Sequence, residues 1–144
     1  MIFSRLGIVL CGIIMMILPL TVAVQSETSL YYETVWEEIL QENVHQGEKN
    51  GVTLALINYK RIKSNPKFDI LLALVDRVDL DTLKTDEDKL AFWTNVYNIA
   101  TIHMVISHYP LDSIRTARSL FKSVWKRPAI HVDGNPYTLD HIEH

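Results

Sequence analysis

Between residues 90 and 106 the chain reads LAFWTNVYNIATIHMVI, and no other stretch restricts the possible folds as much. At helical spacing Phe92, Val96, Ile99 and Ile106 fall along one side, and Trp93, Tyr97, Ala100 and Met104 line the side next to it. A helix apolar over so much of its circumference belongs in a core, covered from several directions. The few polar residues then carry the information. Thr94, Asn98 and Thr101 share a narrow stripe, with Asn95 a little to one side. A buried carboxamide without a partner costs about 1–3 kcal/mol, so Asn95 and Asn98 are expected to hold either backbone or a ligand.

The helix is well bounded. Thr85-Asp86-Glu87-Asp88 reads as a capping box with Asp88 at N3, and three acids in the first turn suit the positive end of the helix dipole. Pro110 disfavours helical geometry at Tyr109, so the helix is expected over about 86–108.

Shorter helices surround it. Val35, Trp36, Ile39 and Leu40 mark an amphipathic helix that follows a polar lead at 26–29. Asn65 and Pro66 are an N-cap and first-turn pair, opening a helix whose buried stripe is Phe68, Leu71, Leu72, Val75 and Val78. Between these two the run QGEKNG at 46–51 reads as a loop, followed by a brief extended piece at 52–54 and a helical turn through Tyr59 and Ile62. A further short helix is expected over 111–124, anchored by Ile114, Leu120 and Phe121. Residues 129–132 and 135–138 flank Asp133-Gly134, the pattern of a β-hairpin, and Pro136 suits an edge strand. Thr138 then caps a helix that has run only about one and a half turns by His144. The fold class expected is α+β and helix-rich: one long central buried helix packed by shorter helices, with a small β-hairpin near the C-terminus.

The first residues belong to a different category. Arg5 is followed by an uncharged run, and its apolar centre, residues 8–20, has the length of a signal-peptide core and falls short of the ~20 residues a bilayer span needs. Residues 1–26 are therefore read as a signal peptide cut after Ala23 or Ser26, leaving 27–144 as a single domain that is exported to the periplasm or extracellular space. Contact with a membrane is expected only through this segment, if it stays uncut. The only cysteine, Cys11, lies within it, so residues 27–144 carry no thiol and no cysteine nucleophile. They keep 13 basic residues against 17 acidic ones, a net charge of −4. Without a basic stripe, nucleic acid is not an expected partner.

Several blocks in order resemble one known family. These are Leu90-Ala91-Phe92-Trp93-x-Asn95-x-Tyr97-Asn98, Tyr109-Pro110-x-x-Ser113-Ile114-Arg115, Trp125, and Tyr137-Thr138-Leu139-Asp140-x-Ile142-Glu143-His144. Together they are similar to the domain of unknown function 547 family, over about residues 36–144. Two departures stand out. Val52-Thr53-Leu54 replaces the family's Val-Asp-Tyr, and the chain stops before the segment, with a His-Phe pair, a cysteine and a Ser-Cys-Pro element, that members usually carry next. The resemblance thus implies a domain missing its last third. The few elements present are expected to leave part of the Phe92, Val96, Ile99 and Ile106 face exposed, with a terminal helix too short to bury anything. It supplies no established activity.

Two sets of site residues follow. Glu143 and His144 are candidate acid/base residues on the strength of the resemblance, against an ion pair that merely fixes the helix. Asn95, Asn98, Trp93 and Tyr97 are candidate ligand contacts, against carboxamides that bond loop backbone and aromatics that fill the core. His141 and His144 stand one turn apart, but with no third ligand near them they do not make a zinc site, and no metal or cofactor is expected. His103, on the apolar side, reads as a satisfied core histidine. The partner is an unidentified small molecule or protein. Three functions remain open: a thiol-dependent enzyme whose cysteine lies in the missing segment, an exported binding module, and a purely structural domain. The leader reading has a direct check: intact mass after expression in a secreting host should show loss of 23 to 26 residues, and recovery of uncut chain in membranes would oppose it.

Overall fold

The computed structural model describes residues 21–110 and 125–144. The leader core with Cys11 and the helix expected over 111–124 lie outside the described residues.

The first helix, α1, spans Thr21–Asn43. It begins ahead of the polar lead expected at 26–29, which is part of the helix, because nothing in Gln25-Ser26-Glu27-Thr28-Ser29 is a helix breaker. Tyr32, Val35, Trp36 and Ile39 are buried and Leu40 packs beside them.

The largest departure from the sequence reading follows directly. The run at 46–51 is not a loop: β1 (Val44–Lys49) and β2 (Val52–Ile57) pair antiparallel in an unbroken register from Val44 opposite Ile57 to Lys49 opposite Val52. Asn50 and Gly51 make the connection with φ of 55° and 77°, the positive pair that a two-residue hairpin turn demands. At Gly47 the Leu56 side chain lies over the backbone, where a Cβ would make it move aside. The hairpin stands away from the core, with Val52, Leu54 and Leu56 on one exposed face.

Asn58 caps α2 (Tyr59–Lys63) by accepting a hydrogen bond from Arg61 N at 3.0 Å, and Ile62 anchors this short helix in the core. Asn65 does the same for α3 (Pro66–Val75) through Lys67 N at 3.0 Å, with Pro66 in the first turn as expected. Phe68, Leu71, Val75 and, just beyond the helix, Val78 are buried, and Leu72 is half-buried. On the outside Lys67 Nζ bridges Glu38 (2.8 Å) and Glu42 (3.1 Å) of α1, and Arg61 reaches Glu42 at 3.4 Å. These pairs are exposed and add little stability, but they hold α1 in register against α2 and α3.

A 3-10 turn at Leu80–Thr82 leads to α4 (Asp86–Ser107). Its capping box is complete. Asp88 N donates to Thr85 Oγ1 at 3.0 Å and Thr85 N donates to Asp88 Oδ2 at 3.1 Å. The hydrogen bonds from Thr85 hold the Asp88 carboxyl below the usual carboxylate range. The expectation that part of the α4 face stays exposed is overturned: Phe92, Val96, Ile99 and Ile106 are all buried, because α2, β3 and the terminal helix close on α4 and Tyr32 of α1 covers Phe92. Tyr32 of α1 sits edge-on to Phe92 with ring centroids 5.7 Å apart.

β3 (Pro128–Val132) and β4 (Asn135–Thr138) form the second hairpin, where it was expected. Asp133 and Gly134 turn the chain with φ of 51° and 72°, and Gly134 N donates to Asp76 Oδ1 at 3.1 Å, which ties the turn to the end of α3. The last helix, α5 (Leu139–Glu143), is capped by Thr138 Oγ1 accepting from His141 N at 3.0 Å. Short as it is, it does bury something. Leu139 has no exposed surface, since a single turn is enough to deliver one side chain when β4 has already placed it over α4. The described residues are thus α+β and helix-rich around a long central helix. Thr85→Ala should lower stability by about 1 kcal/mol in a denaturant titration, and Thr85→Ser should restore most of it, as only the capping hydroxyl is at stake.

Candidate functional site

The polar stripe on α4 lies on the surface, which corrects the expectation that it is buried. Thr94 and Asn98 are exposed, and Asn95 and Thr101 are half-buried. Thr101 Oγ1 is spent within its own helix, donating to the Tyr97 carbonyl at 2.8 Å. Asn95 lies close to the Tyr32 phenol, whose hydroxyl donates to Glu33 Oε1 at 3.4 Å. Burial pushes that phenol up to about 12; the Asn95 side chain works against the rise and the Glu33 charge adds to it.

Trp93 and Tyr97, half-buried on the neighbouring side of α4, meet the C-terminal block. Trp93 packs against Tyr137 of β4 at 5.0 Å between centroids, with Phe92 behind it at 5.3 Å. Tyr137 in turn stacks on His141 of α5 at 5.1 Å with the ring planes 25° apart. Glu143, near the end of α5, is close enough for its charge to act on Tyr97, whose phenol is raised above its ordinary value first by burial and then by that carboxylate. The ledge is held from behind as well, Asp140 N donating to the Trp125 carbonyl at 3.4 Å. Trp93, Tyr97 and Glu143 are therefore brought to one face, from segments far apart in sequence.

The other candidates are not assembled there as a set. Glu143 and His144 are both exposed and make no ion pair with each other, as expected of adjacent residues on a helix. Asn98 is on α4 with its carboxamide exposed to solvent. His103 is the satisfied histidine that its place suggested: Nδ1 lies 2.8 Å from the Ala129 carbonyl and the ring tilts against Phe68. Among the described residues no group of three or more His, Cys, Asp or Glu is placed to hold a metal ion, and no helix is long and apolar enough to cross a membrane.

Two aromatic rings that the sequence reading did not place at the site join the ledge, and a buried asparagine it passed over lies at the end of α1. Tyr137 and His141 make the aromatic ladder. Asn43, 2% exposed, donates through Nδ2 to the Ile39 carbonyl at 2.8 Å while its Oδ1 has no partner among the described residues. The signal for Tyr137 was present, since alternation in the second hairpin puts it on the face opposite Pro136; nothing in the pattern marks Asn43, which reads as an ordinary helix-end residue.

Comparison with known proteins agrees with this half of the chain. Residues 80–144 match the family described as protein of unknown function, DUF547. The matched part starts at the 3-10 turn and takes in α4, the second hairpin and α5, and so every residue of the ledge; residues 36–79, included in the wider likeness, fall outside it. No curated protein and no solved structure matches the chain.

Asn98 distinguishes a buried carboxamide from an exposed one. With its side chain in water, Asn98→Ala should change stability by less than about 0.5 kcal/mol, in place of the 1–3 kcal/mol that a buried partner would impose, as read from the midpoint of a denaturant titration.

Proposed function

For a chain whose residues 80–144 carry the family's blocks, we propose that the face shared by α4 and α5 is the acid/base part of an exported, thiol-dependent enzyme. The observation that carries this reading is the packing of α5 on α4, which sets the Glu143 charge within electrostatic reach of Tyr97, a phenol whose proton is held more tightly than usual, mainly by burial. A carboxylate at the edge of an aromatic ledge is suited to accept a proton, and His144, which points about 100° away from it on the helix, would act as a separate acid/base group. Trp93 and Tyr97 would contact the ligand, with Asn95 and Asn98 along the same helix offering amide groups at its rim. The nucleophile would be the cysteine of the segment that the resemblance places after the Ile-Glu-His block. Residues 27–144 alone contain no thiol and should be inactive in such a mechanism. Export rests on the leader-like run before residue 27.

A second reading has its own observation. The Trp93, Tyr137 and His141 ladder ends at an exposed imidazole, which suits a ring-bearing small molecule or a partner side chain without any chemistry. One experiment separates the two. In a chain continued through the Ser-Cys-Pro element, the rate of cysteine alkylation by iodoacetamide is followed against pH. The enzyme reading expects half-maximal reactivity well below the ordinary thiol value of about 8.5, moved back towards it by His144→Asn and less so by Glu143→Gln. A profile like that of a free cysteine, unmoved by either change, would leave the binding module as the reading to keep.

A further inference from the structure

On the far side of β3 from the ledge, the structure contains a cavity of about 290 Å³. Leu72, Ala73 and Asp76 enter it from α3 and its cap, His103 from α4, and the stretch 128–131 closes it from β3. Leu72, Ala73, Ala129 and Ile130 make most of the wall apolar. The polar groups have a consistent character. His103 Nδ1 is 2.8 Å from the Ala129 carbonyl, and since a carbonyl only accepts, Nδ1 holds the ring proton and Nε2 of the neutral ring is an acceptor. Asp76 takes the Gly134 N–H on Oδ1 at 3.1 Å; its other oxygen has no protein partner, and no ion pair neutralises it, among the described residues. His131 adds one donor and one acceptor at the rim. The cavity therefore offers a carboxylate and an imidazole acceptor over an apolar floor, the complement of a group that is cationic and rich in N–H. Its volume is at the small end of the ~300–1,000 Å³ usual for ligand pockets, which suits one ring or a short chain and excludes a nucleotide or a peptide.

We infer that this cavity binds a small organic ammonium ion, its apolar body against Leu72, Ala73 and Ile130 and its N–H groups donated to Asp76 and His103. An anion of the same shape is disfavoured by the Asp76 charge, so selection is by charge and not by shape alone. Aspartate here serves two purposes. One oxygen fixes the β3–β4 turn and the other faces the ligand, so the substitution Asp76→Asn removes the charge while its amide oxygen still accepts from Gly134 N.

The test uses the full chain and titrates benzylamine and benzoate separately against its amide NMR spectrum. Benzylamine should give saturable shifts confined to 72–76, 103 and 128–134, and benzoate none. Asp76→Asn should weaken benzylamine binding about tenfold or more, the loss of one charge-assisted contact, while keeping the melting temperature. Ala73→Phe fills the cavity from the helix side without touching a polar group and should abolish the shifts, which keeps the inference open to refutation if Asp76→Asn fails to fold. Absence of saturable shifts with benzylamine, equal binding of benzoate, or unchanged affinity in Ala73→Phe would each overturn it.

Discussion

Everything in this structure depends on the burial of α4. Val96, Ile99 and Ala100 at its middle have no exposed surface, and removing one large apolar side chain of this kind from water is worth about 1.5–3 kcal/mol. A helix apolar on so many sides cannot be served by one neighbour. α2, β3 and α5 each pack against it, and α1 adds Tyr32 over Phe92. Short elements with little stability of their own, the five residues of α2 and the five of α5, are ordered because each delivers a single fully buried residue, Ile62 or Leu139, to that common core.

The same arrangement places the chemistry. Once the apolar sides of α4 are taken up, only a narrow outer strip remains for Trp93, Tyr97 and Asn98, and β4 and α5 run across its edge. Tyr137 reaches Trp93 because Leu139, two residues on, is pinned beneath it, and the Glu143 charge acts on Tyr97 because α5 packs on α4. The ledge is thus a by-product of how the second hairpin is anchored, and Asp76, which holds the turn of that hairpin, connects the ledge to the cavity on its other side.

Local chemistry made much of this legible. The caps at Asn65, Thr85 and Thr138 and the Asp133-Gly134 turn are decided by groups within three or four residues, so short patterns revealed them. The first hairpin escaped notice although Asn50-Gly51 is as strong a turn signal, since His45, Gln46, Gly47 and Glu48 have no strand alternation and pair only because Val52–Ile57 folds back on them. Neither was the cover over α4 legible: helical spacing puts Tyr32 in line with the α1 stripe, but nothing in the pattern says that it meets Phe92.

What the amino-acid sequence determined by itself was the existence of a long core helix with fixed ends, the hairpin and capped turn that follow it, and the absence of a thiol from residues 27–144. What only the tertiary structure decided was the rotation of that helix. Periodicity defines a direction when one side is apolar and the other polar; with apolar residues on most of the circumference the phase is undetermined, and the partners that pack against it choose which residues are left at the surface. That choice put Asn98 in water, turned Asn95 to Tyr32, and brought Tyr97 to Glu143. No spacing rule within α4 contains this information, because it is held in the shapes of the elements that cover it.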